Sequence, residues 1–375
     1  MSLAAVVVQP AGVRSWAVCR RRRRQISFFD RGGTYYQLMN LASQPGPPEV
    51  GDPAAVRHMQ CMEIWGGNEP VDSAVVMPGL DAWIYSRPFG DAGAGGDVHY
   101  VSSCATGRIT RLLLADVSGH GAVVAQTAQA LRRLMQRYVN YIDQTALVRA
   151  MNWRFALLSD AGSFATAIVS TFFAPTNDLT LCLAGHPPPL LYRARTGAWS
   201  LLREQRSEAG NIPLGVDQVV SDWSQFGVKL EIGDLVLCYT DALIESRGAD
   251  GQMLGSAGLL KLVARFDAVD ASLLLRRLLH DMASLHEGNL SNDDVTILLF
   301  RPNGQGKVVR LRDKILAPLR VVGGLLKAAA PSGGAPPPWP EVSLANLGGA
   351  MLRRLNRGWS AKNRAAQSDP PAPTA

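Results

Sequence analysis

Carboxylates set against apolar runs constrain this chain more than any other feature of it. Asp116 closes Leu112-Leu113-Leu114-Ala115, Asp241 follows Leu235-Val236-Leu237, and Asp293 precedes Val295-Thr296-Ile297-Leu298-Leu299. A fourth acid, Asp97, follows Gly95-Gly96. Short apolar runs of this kind read as buried strands, and a fold that gathers strand ends gathers these acids with them. Clustered carboxylates repel one another unless a cation neutralises them, and hard oxygen donors suit Mg2+ or Mn2+. Singly, each acid has an ordinary explanation: Asp241 as the cap of a following helix, Asp293 as the first residue of a strand, Gly-Asp as a turn dipeptide. Their joint occurrence points to a site.

The stretch Asp116-Val117-Ser118-Gly119-His120-Gly121 carries the most specific signal. An acid leaving a buried strand, followed by small residues and then a helix, makes a tight turn. In such a turn a carboxylate and a backbone carbonyl can face one metal, and Gly119 and Gly121 permit the close backbone approach.

The chain of 375 residues is 47% hydrophobic, enough for a substantial core. No apolar run approaches the roughly 18 residues that span a bilayer. The apolar stretch Leu3–Val8 precedes the Arg20–Arg24 run instead of following it, which is not the order of a signal peptide. The five cysteines include no CxxC pair, so a zinc site or disulfide framework is not expected and the cytoplasm is the expected compartment. The net charge of +7 is uneven. Residues 301–375 hold twelve Lys/Arg against three Asp/Glu, or +9, and residues 1–80 hold eight against six, or +2, which leaves −4 for 81–300. The segment carrying the acids is therefore net negative, and nucleic acid is not an expected partner.

Three segments follow from these patterns. Residues 1–58 read as a poorly ordered basic leader, 59–302 as one compact domain, and 303–375 as a basic, Pro/Gly-interrupted tail with amphipathic helices. The tail's Leu344, Leu347, Met351 and Leu355 lie beside Arg353, Arg354 and Arg357, a pattern that fits either a peripheral membrane contact or a docked partner. Within the domain, strands are expected at 82–86, 98–102, 109–114, 164–173, 179–183, 190–192, 228–230, 235–239 and 295–300. Helices are expected from just after Gly121 to Val139, and at 145–158, 257–266 and 271–286. Helices fall in pairs between runs of strands, which argues for layered sheets and helices and against a regular βαβ alternation.

Taken together and in order, GGD at 95–97, LLLADVSGHG at 112–121, LAGHPPPLLY at 183–192, IPLGV at 212–216, GDLVLCYTDALIE at 233–245 and DDVTILL at 293–299 resemble the SpoIIE/RsbU branch of the PPM metal-dependent protein phosphatases. The resemblance covers about residues 82–300. It implies an α+β fold, a four-layer α-β-β-α sandwich of two antiparallel sheets flanked by helices. It also implies two divalent metal ions, Mn2+ or Mg2+. By motif, Asp97 and Asp116 are the core ligands, Asp116 bridging and the Val117 carbonyl contributing. Asp241 and Asp293 complete the second ion, with Asp294 the adjacent alternative to Asp293. The implied activity is that of a serine/threonine phosphoprotein phosphatase working by in-line attack of a metal-bridging hydroxide. Its substrate would be a phosphorylated bacterial signalling regulator resembling an anti-sigma-factor antagonist, in a stress response. An activating protein and a homodimer belong to the same implication.

The chain departs from the family where Val98-His99-Tyr100 replaces the usual continuation of GGD, so a second carboxylate is missing there. Arg87 is read as a surface charge, with a phosphate grip as its other reading. His120 is read as support for the turn, with proton donation as the alternative; His99 is read as a strand surface residue and His186 as part of a structural connection. Two other functions compete. One is a non-catalytic, phosphatase-like phosphoprotein-binding scaffold, which presence of all four acids argues against. The other is a metal-dependent nuclease, in which the 116–121 turn and the 293–296 strand start are not expected.

Overall fold

Strands buried on both faces need covering layers on both sides, and this requirement sets the architecture. The structure, a computed structural model, describes residues 27–29, 35–37, 55–59 and then 63–305, apart from 91, 105–106, 142, 160–161, 204–211 and 217–222. The Arg20–Arg24 run and the tail helices expected beyond 305 lie outside the described residues. Strands β1 (Ser27–Phe29) and β2 (Tyr35–Gln37) pair antiparallel within an N-terminal unit of their own.

The second unit begins with β3 (Ala55–His58), β4 (Ile64–Gly67), β5 (Val71–Met77), β6 (Leu80–Arg87), β7 (Asp97–Ser103) and β8 (Ile109–Val117). Two helices follow, α1 (Ala125–Tyr138) and α2 (Gln144–Leu158), and then β9 (Ala165–Phe173), β10 (Asp178–Ala184), β11 (Leu190–Arg193), β12 (Ala198–Leu201), β13 (Gln225–Lys229) and β14 (Leu235–Tyr239). Helices α3 (Ala242–Glu245), α4 (Gly255–Val263) and α5 (Ala271–Leu285) precede β15 (Val295–Pro302). One sheet runs β13-β10-β9-β8-β7-β4 and is antiparallel throughout. The other runs β12-β11-β14-β15-β6-β5-β3, antiparallel except for the β3–β5 pair.

Three apolar layers hold these elements in register. Between the sheets, Val101, Leu112, Leu114, Ile168 and Phe172 meet Ile84, Cys238, Leu298 and Phe300. On the outer face of the first sheet, Val98, Tyr100, Leu113 and Val169 pack under Leu131, Met135, Met151 and Phe155 of α1 and α2. On the outer face of the second, Leu237, Ile297 and Leu299 pack under Leu243, Leu259, Leu278 and Met282 of α3, α4 and α5. Full burial of one such side chain stabilises by roughly 1.5–3 kcal/mol. The result is the α-β-β-α sandwich expected from the sequence.

Helix α2 starts where Asp143 accepts the Thr145 and Ala146 N–H groups at 2.9 and 3.1 Å, and α5 where Asp270 accepts that of Leu273 at 2.9 Å. One boundary differs from expectation. Strand β3, inside the range read as leader, pairs in parallel with β5, so the second sheet takes its edge from residues 55–58. Four residues rich in polar neighbours carry too little periodicity to show this. His99 also differs: it is 2% exposed and packs its ring 5.3 Å from that of Trp65, because odd positions of β7 face the other sheet. Burial depresses its pKa to about 4.

The GHPPP connection after β10 ties the two sheets together. His186 is buried, its Nδ1 lies 2.9 Å from Thr166 Oγ1 on β9, and the Tyr239 backbone on β14 lies near enough to favour its charged form slightly. The Tyr239 hydroxyl returns a bond to the Pro188 carbonyl at 2.8 Å. Burial lowers the His186 pKa to about 3. A depressed histidine gives stability that is complete above its unfolded value near 6.5 and is lost as pH falls towards 3. The upper bound on that loss, between pH 6.5 and 3, is about 5 kcal/mol. Chemical denaturation between pH 7 and 4 is expected to show this loss, and His186→Gln is expected to flatten it while lowering stability at pH 7.

Candidate metal centre

All four sequence-predicted acids come to one end of the sandwich, because antiparallel neighbours place the start of one strand beside the end of the next. Asp97 opens β7, Asp116 lies near the end of β8, and the two are direct register partners. Side chains of such a pair share one face with Cβ atoms about 5 Å apart, here the face towards the second sheet. Across the gap, β14 ends and β15 begins side by side, with Tyr239 opposite Ile297. Asp241 follows the first and Asp293 precedes the second.

Thr240 joins the two halves. Its hydroxyl donates to Asp97 Oδ2 at 2.9 Å, its backbone N–H donates to the Thr296 carbonyl at 3.0 Å, and its Oγ1 accepts the Thr296 N–H at 3.0 Å. Thr296 in turn hydrogen-bonds Ser86 on β6, oxygen to oxygen 2.8 Å. Sequence reasoning missed Thr240 as a functional residue; its only signal was a hydroxyl side chain between a buried strand and an acid. The alternative reading of Asp241 as a simple helix cap loses support. It stands at the cap position of α3, yet its side chain makes no cap bond.

The electrostatics show a site short of positive charge. Burial first, and then repulsion from Asp294 and Asp241, holds the Asp97 carboxyl well above the usual range against the Thr296 and Thr240 hydroxyls. Asp116 is likewise raised by burial and by Asp97, Asp241, Asp293 and Asp294. Asp241 is raised to about 6 by burial, Asp293 and Glu245. Asp293 is raised by burial, Asp294 and Glu245, opposed by its own bond from the Asp294 N–H and by His120. No Lys or Arg figures among these neighbours.

Among the described residues, no three or more His, Cys, Asp or Glu side chains close on a common metal-sized point. The acids are gathered without being drawn together, as mutual repulsion requires. Two observations nonetheless fit a hard divalent cation. Asp97 Oδ1 is buried with no hydrogen-bond partner, and the donors are all oxygen. In addition, a Cβ at Gly96 would stand 3.0 Å from the Val117 carbonyl oxygen, 3.2 Å from that of Gly119 and 2.9 Å from Val124 Cγ2. A side chain at this position would crowd the Val117 carbonyl. Gly119 and Gly121 take φ of +97° and +67°, the left-handed region that favours glycine.

The remaining candidates surround this cluster. His120 is exposed and its ring lies 4.2 Å from that of Phe89, tilted by 57°. The Arg87 guanidinium donates to the Leu290 carbonyl, which ties the end of β6 to the loop before β15. Asp294 is 2% exposed and accepts the backbone N–H groups of Phe89, Gly96 and Gly121.

With this geometry in place, the chain can be compared with known proteins. The family model described as stage II sporulation protein E (SpoIIE) matches residues 106–303. Asp116, Asp241 and Asp293 fall inside that match; Asp97 falls outside it and is placed by its pairing with Asp116. The phosphoserine phosphatase RsbU of Bacillus subtilis (strain 168) is 25% identical over 191 residues, covering 51% of this chain and 55% of that protein. The chain thus spans about half the length of this curated relative. A solved structure of RsbU and RsbW domains from Mycobacterium tuberculosis is similar in fold, with a TM-score of 0.53 at 24% identity over 70% of this chain and 75% of that one.

Proposed function

The chain belongs to the stage II sporulation protein E family, and from that premise we propose that it is a metal-dependent phosphatase of phosphoserine or phosphothreonine in proteins. The observation that carries this is the Asp97–Asp116 cross-strand pair, joined by Thr240 to the sheet that brings Asp241 and Asp293. Asp97, Asp116 and the Val117 carbonyl would hold one side of a centre for two divalent ions, Mn2+ or Mg2+, and Asp241 and Asp293 the other. When bound, such ions supply an activated water at neutral pH and offset charge on the attacked phosphate.

The chain's own residues prepare that chemistry. Thr240 orients the Asp97 carboxylate and leaves Oδ1 unpartnered and available. Asp116, Asp241 and Asp293 are only partly buried, so the cluster opens to solvent where a phosphorylated side chain can enter. His120, exposed beside Phe89 and attracted to Asp293, stands at that opening as support for the turn. The relation to a curated phosphoserine phosphatase supports phosphoserine as the group acted on; the motif resemblance adds a phosphorylated bacterial regulator of the anti-sigma-factor-antagonist kind as substrate, with an activating protein partner. Among the described residues, no helix is long and apolar enough to cross a membrane. A peripheral membrane contact through the basic tail and a homodimer remain part of the same proposal.

Hydrolysis of p-nitrophenyl phosphate and of a phosphoserine peptide, with Mn2+, Mg2+ or EDTA, tests the reading. Turnover is expected only with the metals. Turnover that survives EDTA removes the two-metal reading, and metal binding without turnover of either substrate favours the scaffold.

A further inference from the structure

Adjacent residues Asp293 and Asp294 carry the same chemistry but occupy different surroundings. Both lie near the other acids, but Asp293 is partly exposed whereas Asp294 is 2% exposed and has both carboxylate oxygens bonded to backbone. Its Oδ1 accepts the Phe89 N–H at 2.6 Å, and its Oδ2 accepts those of Gly96 at 2.7 Å and Gly121 at 3.1 Å. These donors belong to two separate segments, the loop between β6 and β7 and the turn after β8. Hydrogen bonds to an ionised acceptor are short and strong, and both oxygens are engaged by them. The fit is close enough that a Cβ at Gly95 would collide with the Asp294 carboxylate. No Lys or Arg among the described residues pairs with Asp294, so the backbone N–H groups are its charge partners.

We propose that Asp294 is a positioning residue: a clasp that binds the Gly95–Asp97 loop to the Asp116–Gly121 turn and so sets the placement of Asp97 against Asp116. This rests on the metal-centre reading above. The loop is braced from its other side by Asn68. The Asn68 carbonyl accepts the Gly95 N–H at 2.9 Å, and Asn68 Nδ2 donates to the Gly95 carbonyl at 2.8 Å and to the Ala125 carbonyl, at the start of α1, at 3.2 Å. Asn68 and Asp294 thus hold Gly95 and Gly96, the two residues that lead into Asp97. Removing the Asp294 carboxylate leaves three backbone N–H groups, two of them buried, without their acceptor, and the two segments are then free to part.

The full chain carrying Asp294→Ala or Asp294→Asn tests this in three measurements beside the unaltered protein: hydrogen–deuterium exchange in EDTA, calorimetric titration with Mn2+, and hydrolysis of p-nitrophenyl phosphate. Exchange at Phe89, Gly96 and Gly121 is expected to quicken at least tenfold, with the core strands unchanged. Mn2+ affinity is expected to fall about 10–100-fold, as for other groups that orient metal ligands, with the number of bound ions the same. For p-nitrophenyl phosphate, kcat is expected to fall with little change in KM. Asn keeps the side-chain shape but turns an N–H donor either towards the Phe89 N–H or towards those of Gly96 and Gly121, so exchange is expected to quicken on that side even if Ala does not fold. Unchanged exchange at the three amides overturns the proposal, and so does the loss of one bound ion, which would make Asp294 a ligand. A protein that hydrolyses neither substrate but loses amide protection and Mn2+ affinity on Asp294→Ala would remove the phosphatase reading and leave the clasp standing.

Discussion

Asp116→Asn is expected to lower kcat/KM for p-nitrophenyl phosphate by roughly three orders of magnitude, about 4 kcal/mol of transition-state stabilisation, and to raise the melting temperature of the metal-free protein. The two effects share one cause. Asp116 is the register partner of Asp97 and is repelled by Asp97, Asp241, Asp293 and Asp294. Without a cation its charge destabilises the fold; with one it is the group best placed to hold the ion against Asp97. Asparagine keeps the shape and removes the charge. Function and stability then trade against each other at a single carboxylate. Steady-state kinetics and melting in EDTA check the pair of outcomes, and a metal-free variant that melts lower than the parent would falsify the repulsion account.

The second large effect joins pH to metal. Asp97, Asp116, Asp241 and Asp293 all hold their protons more tightly in the folded state than in the unfolded chain, because burial and mutual repulsion disfavour the charged forms. For a raised carboxyl, stability is fully present below the unfolded value near 3.8 and is lost as pH rises through the folded value, about 6 for Asp241. The metal-free protein should therefore lose stability between pH 4 and pH 7 through these groups. His186 acts in the opposite sense over the acid side of the same range, so His186→Gln is the background in which to measure the carboxylates. Mn2+ at a hundred times its dissociation constant should return about 2.7 kcal/mol per independent site at pH 7, and progressively less as the acids protonate. Denaturation curves with Mn2+ or EDTA from pH 4 to 8 decide it. A metal-free protein most stable at pH 8 in the His186→Gln background would contradict the arrangement.

The long buried strands were legible because their apolar runs are long and nearly continuous, as in 109–117 and 295–302, and the paired helices because their apolar residues recur at helical spacing. Strands β4, β5 and β12 were not: β4 and β12 are four-residue strands at sheet edges, and β5, one strand in from its edge, is half-exposed over most of its length. Asn68 lay hidden for a related reason: a lone Asn in a turn carries no pattern, and only the fold brings it to Gly95 and Ala125.

The candidate site divides in the same way. From the amino-acid sequence alone came the four acids, their order, the glycines that the turn requires and the layering of sheets and helices, because each depends on local chemistry or periodicity; the α-β-β-α sandwich was what the family resemblance implied. The pairing of Asp97 with Asp116, the bond from Thr240 across the two sheets and the separate surroundings of Asp293 and Asp294 were decided only by tertiary structure. Register sets which residues of two strands face each other, and a neighbour in sequence can point to solvent or to buried backbone. No spacing along the chain encodes which of two adjacent aspartates meets the N–H groups of Phe89, Gly96 and Gly121; their convergence in space does.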